Sequence, residues 1–283
     1  MNINSNTNTI CLLGHPIKHS FSPTIHNYLF ETYSENNIYV CFDVQEDKLK
    51  DCVYGIKGLD IKGCNVTIPH KVNIIKYLDS IDDNAKLIGA VNTIKNKGGI
   101  LKGYNTDGRG FVKSILDKGY DIKNKKVMII GAGGACRSIA IEMASQGVKS
   151  IEIRNRSLDR ANEIIDSINK NFNTEANCSK DAIDSNCLMD IDILINTTPI
   201  GMESDLCPID TNIVIDKKLL VCDIVYKPQN TAFLKWAKKN NLEIIYGIDM
   251  LINQALEAFY IWTGINPCNE DFEHIKKLYE NSI

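Results

Sequence analysis

The chain has 283 residues, 44% hydrophobic and 24% charged, with 32 basic against 35 acidic side chains and a formal net charge of −3. That length exceeds one small core and makes two domains the default, and the charge balance supplies no basic field for nucleic acid. No apolar run is long enough to span a membrane, and residues 1–8 are polar, without the apolar centre of a signal peptide, so the expected location is cytoplasmic.

Residues 9–14 form a short apolar run ending on glycine. Ser22-Pro23 then opens a helix to about residue 33, with serine placed to cap it and proline in its first turn. Residues 38–44, rich in β-branched and aromatic side chains, predict a strand, and 46–56 a helix. A strand over 63–68 is stopped by Pro69, and a helix follows over 71–78. Residues 90–95 and 100–105 flank Gly98-Gly99, a hairpin signal. Strands joined by helical crossovers imply a mostly parallel sheet, here with an added antiparallel hairpin.

Thr106 or Asp107 is placed to cap a helix over 108–118 that leads into a second domain. Strands at 126–130, 150–154, 191–196, 219–224 and 242–246 then alternate with helices at 135–146, 157–170 and about 231–240, the doubly wound pattern. Helical periodicity returns over 250–262 and 271–280, and with no strand left to cover there, these helices are expected back on the first domain. The expected fold is α/β with two domains. Residues 1–107 plus 247–283 form a discontinuous one with a mostly parallel sheet, and 108–246 form an inserted Rossmann domain.

Gly131-Ala132-Gly133-Gly134-Ala135 follows the apolar strand 127–130 and opens a helix. Such a turn lets the backbone approach a pyrophosphate, which the free N–H groups and helix dipole then hold. About twenty residues on, where an NAD site carries an acid, the strand 150–154 ends in Asn155-Arg156-Ser157, with Arg160 one helical turn beyond. Glu152 faces away when Ile153 is counted inward. A guanidinium in that place pairs with a 2′-phosphate, so the expected cofactor is NADP(H).

The first domain carries polar segments that packing alone does not require. Ser20 and Ser22 lie at a loop-to-helix junction that suits a carboxylate. Asn65 and Thr67 share one face of their strand, and Lys71 follows at a strand end. Asn92 and the segment Asn105-Thr106-Asp107-Gly108 complete the set. Ten cysteines are scattered with no Cys-x-x-Cys pair and no zinc spacing, so they read as reduced, mostly buried thiols and no metal is expected.

Taken in order, these segments are similar to the shikimate dehydrogenase family along almost the whole chain. Gly14, Pro16, His19, Ser20, Ser22 and Pro23 resemble its opening motif; Asn65-Val66-Thr67, Pro69 and Lys71 its catalytic-lysine motif; residues 89–93 and 105–108 its next two. The turn at 131–135, Asn155-Arg156-Ser157, Asp223 with Tyr226 and Pro228, and Met250-Leu251 with Gln254-Ala255 complete the series.

The resemblance implies NADPH-dependent, reversible reduction of 3-dehydroshikimate to shikimate in aromatic amino-acid biosynthesis, with Lys71 and Asp107 as the catalytic pair. Ser20, Ser22 and Tyr226 would bind the ring carboxylate, and Asn65, Thr67, Asn92 and Gln254 the ring hydroxyls. Gly131, Ala132, Gly133, Gly134, Ala135, Asn155, Arg156, Ser157, Arg160, Thr197 and Gly247 would bind the cofactor. It further implies a monomer or homodimer acting on a small molecule. A quinate or dual-specificity dehydrogenase is the alternative, and a non-catalytic dinucleotide sensor a remote one. Asp249 stands where many relatives carry glycine, and Cys136 where serine or alanine is usual. His70, next to Lys71, is a further acid–base candidate.

Overall fold

The computed structural model describes residues 3–282. The chain divides into two units, one reaching Thr106 and resuming at Ile252, the other Asp107–Leu251. In the first, β1 (Asn8–Gly14) is followed by α1 (Ser22–Thr32), β2 (Asn37–Asp43), α2 (Leu49–Gly58), β3 (Gly63–Val66), β4 (Ser80–Ile81), α3 (Asp83–Ile88), β5 (Thr93–Lys97) and β6 (Ile100–Tyr104). The sheet order is β2-β1-β3-β5-β6-β4. β1 runs parallel to β2 and β3, whereas β5 is antiparallel to both β3 and β6. The hairpin turns on Gly98 and Gly99, both at positive φ. One face of the sheet buries Cys11, Leu13, Cys64, Val66, Ile94 and Leu101 against Val53 and Ile56 of α2.

α9 (Gly247–Thr263) begins in the second unit, and its larger part packs in the first with α10 (Asn269–Glu280). The Trp262 indole donates to the Ile94 carbonyl at 2.9 Å. Tyr33, just past the end of α1, donates to Asp271 at 2.5 Å, and the Phe21 and Tyr279 rings meet edge to face at 5.3 Å.

The second unit starts with α4 (Asp107–Leu116) and continues β7 (Lys126–Ile130), α5 (Gly134–Ser145), β8 (Ser150–Arg154), α6 (Leu158–Asn171), β9 (Glu175–Ser179), α7 (Ser185–Leu188), β10 (Ile193–Asn196), β11 (Leu220–Asp223), α8 (Ala232–Lys239) and β12 (Glu243–Ile245). All six strands are parallel, in the order β12-β11-β10-β7-β8-β9. The chain winds outward from β7 to β9 and then restarts at β10 beside β7. That switch point opens a crevice at the carboxyl ends of β7 and β10, where doubly wound folds bind ligands.

The expected α/β architecture with two parallel-rich sheets is what the chain adopts. Local differences have local causes. The helix expected over 71–78 is a short 3₁₀ segment, Asn73–Tyr77, with only Ile74 fully buried; its β-branched residues and asparagine favour an α-helix poorly. The strand expected over 63–68 stops at Val66. Ser22 is the first helical residue of α1 and not its cap; Phe21 takes that position without a side-chain bond, and Ser20 Oγ accepts the Ser22 N–H at 3.3 Å. β4, α3, β9 and α7 have no counterpart in the sequence reading. Among the described residues no helix is long and apolar enough to cross a membrane, and all ten cysteines are free.

Candidate active site

In the first unit the polar residues gather where β1 and β3 end and β5 begins. The backbone sets the frame: Thr67 N–H donates to Leu13 O, Val66 N–H to Asn92 O, and Val91 N–H to Lys71 O, at 2.8–2.9 Å. Asn65 and Thr93 are register partners across β3 and β5. From that pairing a directed chain of side-chain bonds runs through the site. The buried Tyr39 hydroxyl donates to Asn65 Oδ1 at 2.7 Å, and Asn65 Nδ2 donates to Asn92 O at 3.2 Å and to Thr93 Oγ1 at 3.0 Å. Thr93 Oγ1 donates to Asn92 Oδ1 at 3.0 Å, and Asn92 Nδ2 donates to Thr106 Oγ1 at 2.9 Å. Thr106 N–H donates back to Asn92 Oδ1 at 2.8 Å, and its hydroxyl reaches Gln254 Oε1 at 3.5 Å.

A backbone N–H is an unambiguous donor, so the Thr106 bond fixes which atom of the Asn92 amide is oxygen. Asn65 commits both amide hydrogens inside the protein, which makes it a support for Asn92. Thr67 and Lys71, just past the end of β3, are half-buried, as are Ser20 and Ser22. His70 turns away from this group: it is fully buried, and its Nε2 donates to Val44 O at 2.7 Å. An acid–base role beside Lys71 is therefore removed.

In the second unit Gly131 lies at φ 102°, and a Cβ there would meet Thr197 Oγ1 and Thr198 Cγ2 at 2.9 Å. Only glycine makes this turn. Gly133 caps α5 with no side-chain bond, and a Cβ at Gly133 or Gly134 would find nothing within 4 Å. No side chain at these two positions covers the start of α5. Thr197 is anchored by its hydroxyl to Ile130 O at 2.7 Å. A groove of about 470 Å³ brings together Gly131, Ala132, Gly133, Asn155, Arg156, Arg160 and Thr197. Gly134 and Ala135 form the first turn of α5, Ser157 caps α6, and Gly247 starts α9.

This donor set fits a dinucleotide that carries a 2′-phosphate. An uncapped helix N-terminus and a glycine turn suit a pyrophosphate, and the arginines that follow β8 suit a 2′-phosphate. The acid on that strand, Glu152, is neutralised by Arg154 at 2.8 Å. Sequence reasoning missed the far wall of the groove, Lys180–Ile183, because it follows the unforeseen β9.

Tyr226 is half-buried, and burial raises the pKa of its phenol, which stays protonated as a donor. Asp223, buried at the end of β11, accepts from Asn196 Nδ2 at 2.9 Å, Val225 N–H at 3.0 Å and Thr231 Oγ1 at 2.6 Å. It thereby shapes the loop that carries Tyr226. Cys136, in the first turn of α5, is fully buried, and burial pushes its thiol up to about 12, so it is a packing residue and not a thiolate. Asp249 is buried in the first turn of α9.

The shikimate dehydrogenase substrate binding domain matches residues 12–94, shikimate / quinate 5-dehydrogenase matches 111–224, and the shikimate 5′-dehydrogenase C-terminal domain matches 247–267. The chain is 45% identical over 267 residues to a shikimate dehydrogenase (NADP(+)) of Caldanaerobacter subterraneus subsp. tengcongensis, covering 93% of this chain and 94% of the relative. A shikimate 5-dehydrogenase from Listeria monocytogenes, solved with shikimate and NAD, superposes with a TM-score of 0.91 at 35% identity, covering 99% of this chain and 98% of that one. Another shikimate dehydrogenase, solved with NADP+, gives 0.87 at 42% identity, with 97% and 96% covered. Motif order, sheet topology and near full-length likeness agree: the chain belongs to the shikimate dehydrogenase family.

Proposed function

We propose that this protein catalyses the reversible NADPH-dependent reduction of 3-dehydroshikimate to shikimate, a step of aromatic amino-acid biosynthesis. The directed chain from Asn65 to Gln254 carries the reading. It is a rigid amide-and-hydroxyl surface at the strand ends, of the kind that distinguishes hydroxyl groups on a small ring.

When bound, the reduced nicotinamide supplies the hydride. Charge then develops on the substrate oxygen, and Lys71 donates the proton that quenches it, with Asp107 its partner in the relay from water. Ser20, Ser22 and the Tyr226 hydroxyl hold the ring carboxylate. Thr67, Asn92 and Gln254 hold the ring hydroxyls, and Asn65 orients Asn92. Gly131–Ala135, Thr197 and Gly247 bind the cofactor backbone, and Asn155, Arg156, Ser157 and Arg160 its adenosine 2′-phosphate end. Residues 1–107 with 247–283 serve the substrate and 108–246 the cofactor. Ten free thiols support a reducing cytoplasmic setting, in which the protein acts as a monomer or homodimer.

Steady-state kinetics with shikimate and quinate, each with NADP+ and NAD+, test the reading. Shikimate with NADP+ should give the highest kcat/KM; quinate turnover above shikimate turnover would move the enzyme to the quinate type. Lys71→Ala and Asp107→Ala should each lower kcat by about 10²–10⁴-fold, and full activity in both would refute the assigned chemistry.

A further inference from the structure

The cofactor groove has a wall that the family motifs do not account for. β9 ends at Ser179, and the next residues turn back along the groove. The turn is tied to the end of β8. Asn155 N–H donates to Ser179 O at 3.1 Å, and Arg154 Nη1 donates to Asp181 O at 3.1 Å and to Ser179 Oγ at 3.5 Å. Ser179 and Asp181 close it internally, Asp181 N–H donating to Ser179 Oγ at 2.9 Å and the Ser179 hydroxyl to Asp181 Oδ2 at 2.5 Å. Arg154 is itself fixed, through its ion pair with Glu152 at 2.8 Å, and its side chain is only 11% exposed.

Lys180 sits inside this turn, exposed, and lines the groove with Arg156 and Arg160. Among the described residues none of these three cations has an ion-pair or hydrogen-bond partner, and Asp181 is the one acid of the lining. Unpaired cations that line one groove repel each other. A dianion placed among them removes that cost, and a cation on a pre-tied turn loses little freedom in meeting it.

We propose that Lys180 is a third cation for the 2′-phosphate of the dinucleotide, alongside Arg156 and Arg160, and that Arg154 is a positioning residue that holds the Ser179–Asp181 turn in place to present it. This rests on the NADP reading of the groove. It makes preference for the phosphorylated dinucleotide a joint property of the segments after β8 and β9.

Equilibrium titration of the full chain with NADP+, NAD+, 2′-AMP and 5′-AMP tests it without reference to turnover. Lys180→Met should weaken NADP+ and 2′-AMP by about 5- to 20-fold, shift NAD+ and 5′-AMP less than about twofold, and flatten the salt dependence of NADP+ binding. Lys180→Arg should restore it. Ser179→Ala, which loosens the turn and leaves the Arg154–Glu152 pair intact, and Arg154→Met should each cost the same ligands, with little further loss when combined with Lys180→Met. NADP+ and NAD+ weakening together, or NADP+ unchanged in Lys180→Met, would overturn the assignment of Lys180. Full additivity of Ser179→Ala and Arg154→Met with Lys180→Met would overturn the positioning role. A wild-type protein that binds NAD+ as tightly as NADP+ would instead refute the NADP reading, which separates the two failures.

Discussion

The place of Asp107 depends on how closely α4 approaches α5 at the next residue, and Gly108→Ala tests that dependence. Gly108 is buried, and a methyl group there would lie 2.8 Å from Glu142 Cβ and 3.0 Å from the Ser138 carbonyl carbon, and closer still to Ser138 O. Carbon contacts are optimal near 3.5–4.0 Å, so α4 must retreat by about 1 Å. The obstacle is helix backbone, which cannot rotate aside. Two terms then oppose each other. Replacing glycine by alanine in a helix gains about 1 kcal/mol in propensity, and overpacking costs about 1–3 kcal/mol, leaving a net loss of about 0–2 kcal/mol and a fall in Tm of a few degrees. With Asp107 in its proposed role catalysis should suffer more, because a displacement of about 1 Å at a reacting group costs about 10²-fold. Thermal unfolding and shikimate oxidation measured side by side should show a small Tm change with a large kcat loss. Gly55→Ala in α2, where a Cβ meets nothing within 4 Å, serves as the propensity control and should leave kcat unchanged. A Gly108→Ala protein with wild-type kcat would show that Asp107 does not depend on this crossing.

Two further predictions concern buried titratable groups. His26 is fully buried between the Tyr39 and Trp262 rings, at 4.5 and 5.0 Å, and burial lowers its pKa from 6.5 to about 3, which the neighbouring Asn65 offsets only in part. The unfolded chain takes up this proton first as the pH falls, so stability drops between pH 6.5 and 3; in urea titrations from pH 7 to pH 4 the wild type should lose about 3 kcal/mol more than His26→Leu, and equal losses would place the ring in a wetter environment. Cys136, buried with its thiol pushed up to about 12, should resist a maleimide at pH 8 while the exposed Cys268 reacts; modification of Cys136 in native protein, followed by peptide mapping, would contradict its packing role.

What the sequence shows and what it hides divide along the range of the interactions. The turn at Gly131–Ala135 is legible because strand, positive-φ glycine and helix start are contiguous. β9 is not, since Glu-Ala-Asn-Cys-Ser at a sheet edge buries no residue fully and lacks hydrophobic alternation. α3 has a true signal, with Asp82 accepting the Asn84 N–H at 3.2 Å and Gly89 at φ 69° closing the end, but six residues are too few for a period to emerge.

The same distinction governs the site. Ser20, Lys71, Asp107 and Arg156 stand in motifs readable from neighbours in the chain. The partners of Asn65 are set by register instead: pairing with Thr93 across β3 and β5 brings Thr93 Oγ1 and Asn92 O to its Nδ2, and Tyr39 of β2 donates to its Oδ1 from the other side. A shift of one residue would send Asn65 to the other face of the sheet and remove its bonds to Asn92 O and Thr93 Oγ1. His70 shows the converse. Next to Lys71 in the chain, it invites a shared function, but its buried ring is spent on Val44 O. Sequence proximity thus nominates Lys71 and Asp107, the pair proposed to handle the proton, whereas strand register determines which side chains gather around Asn65 and Asn92.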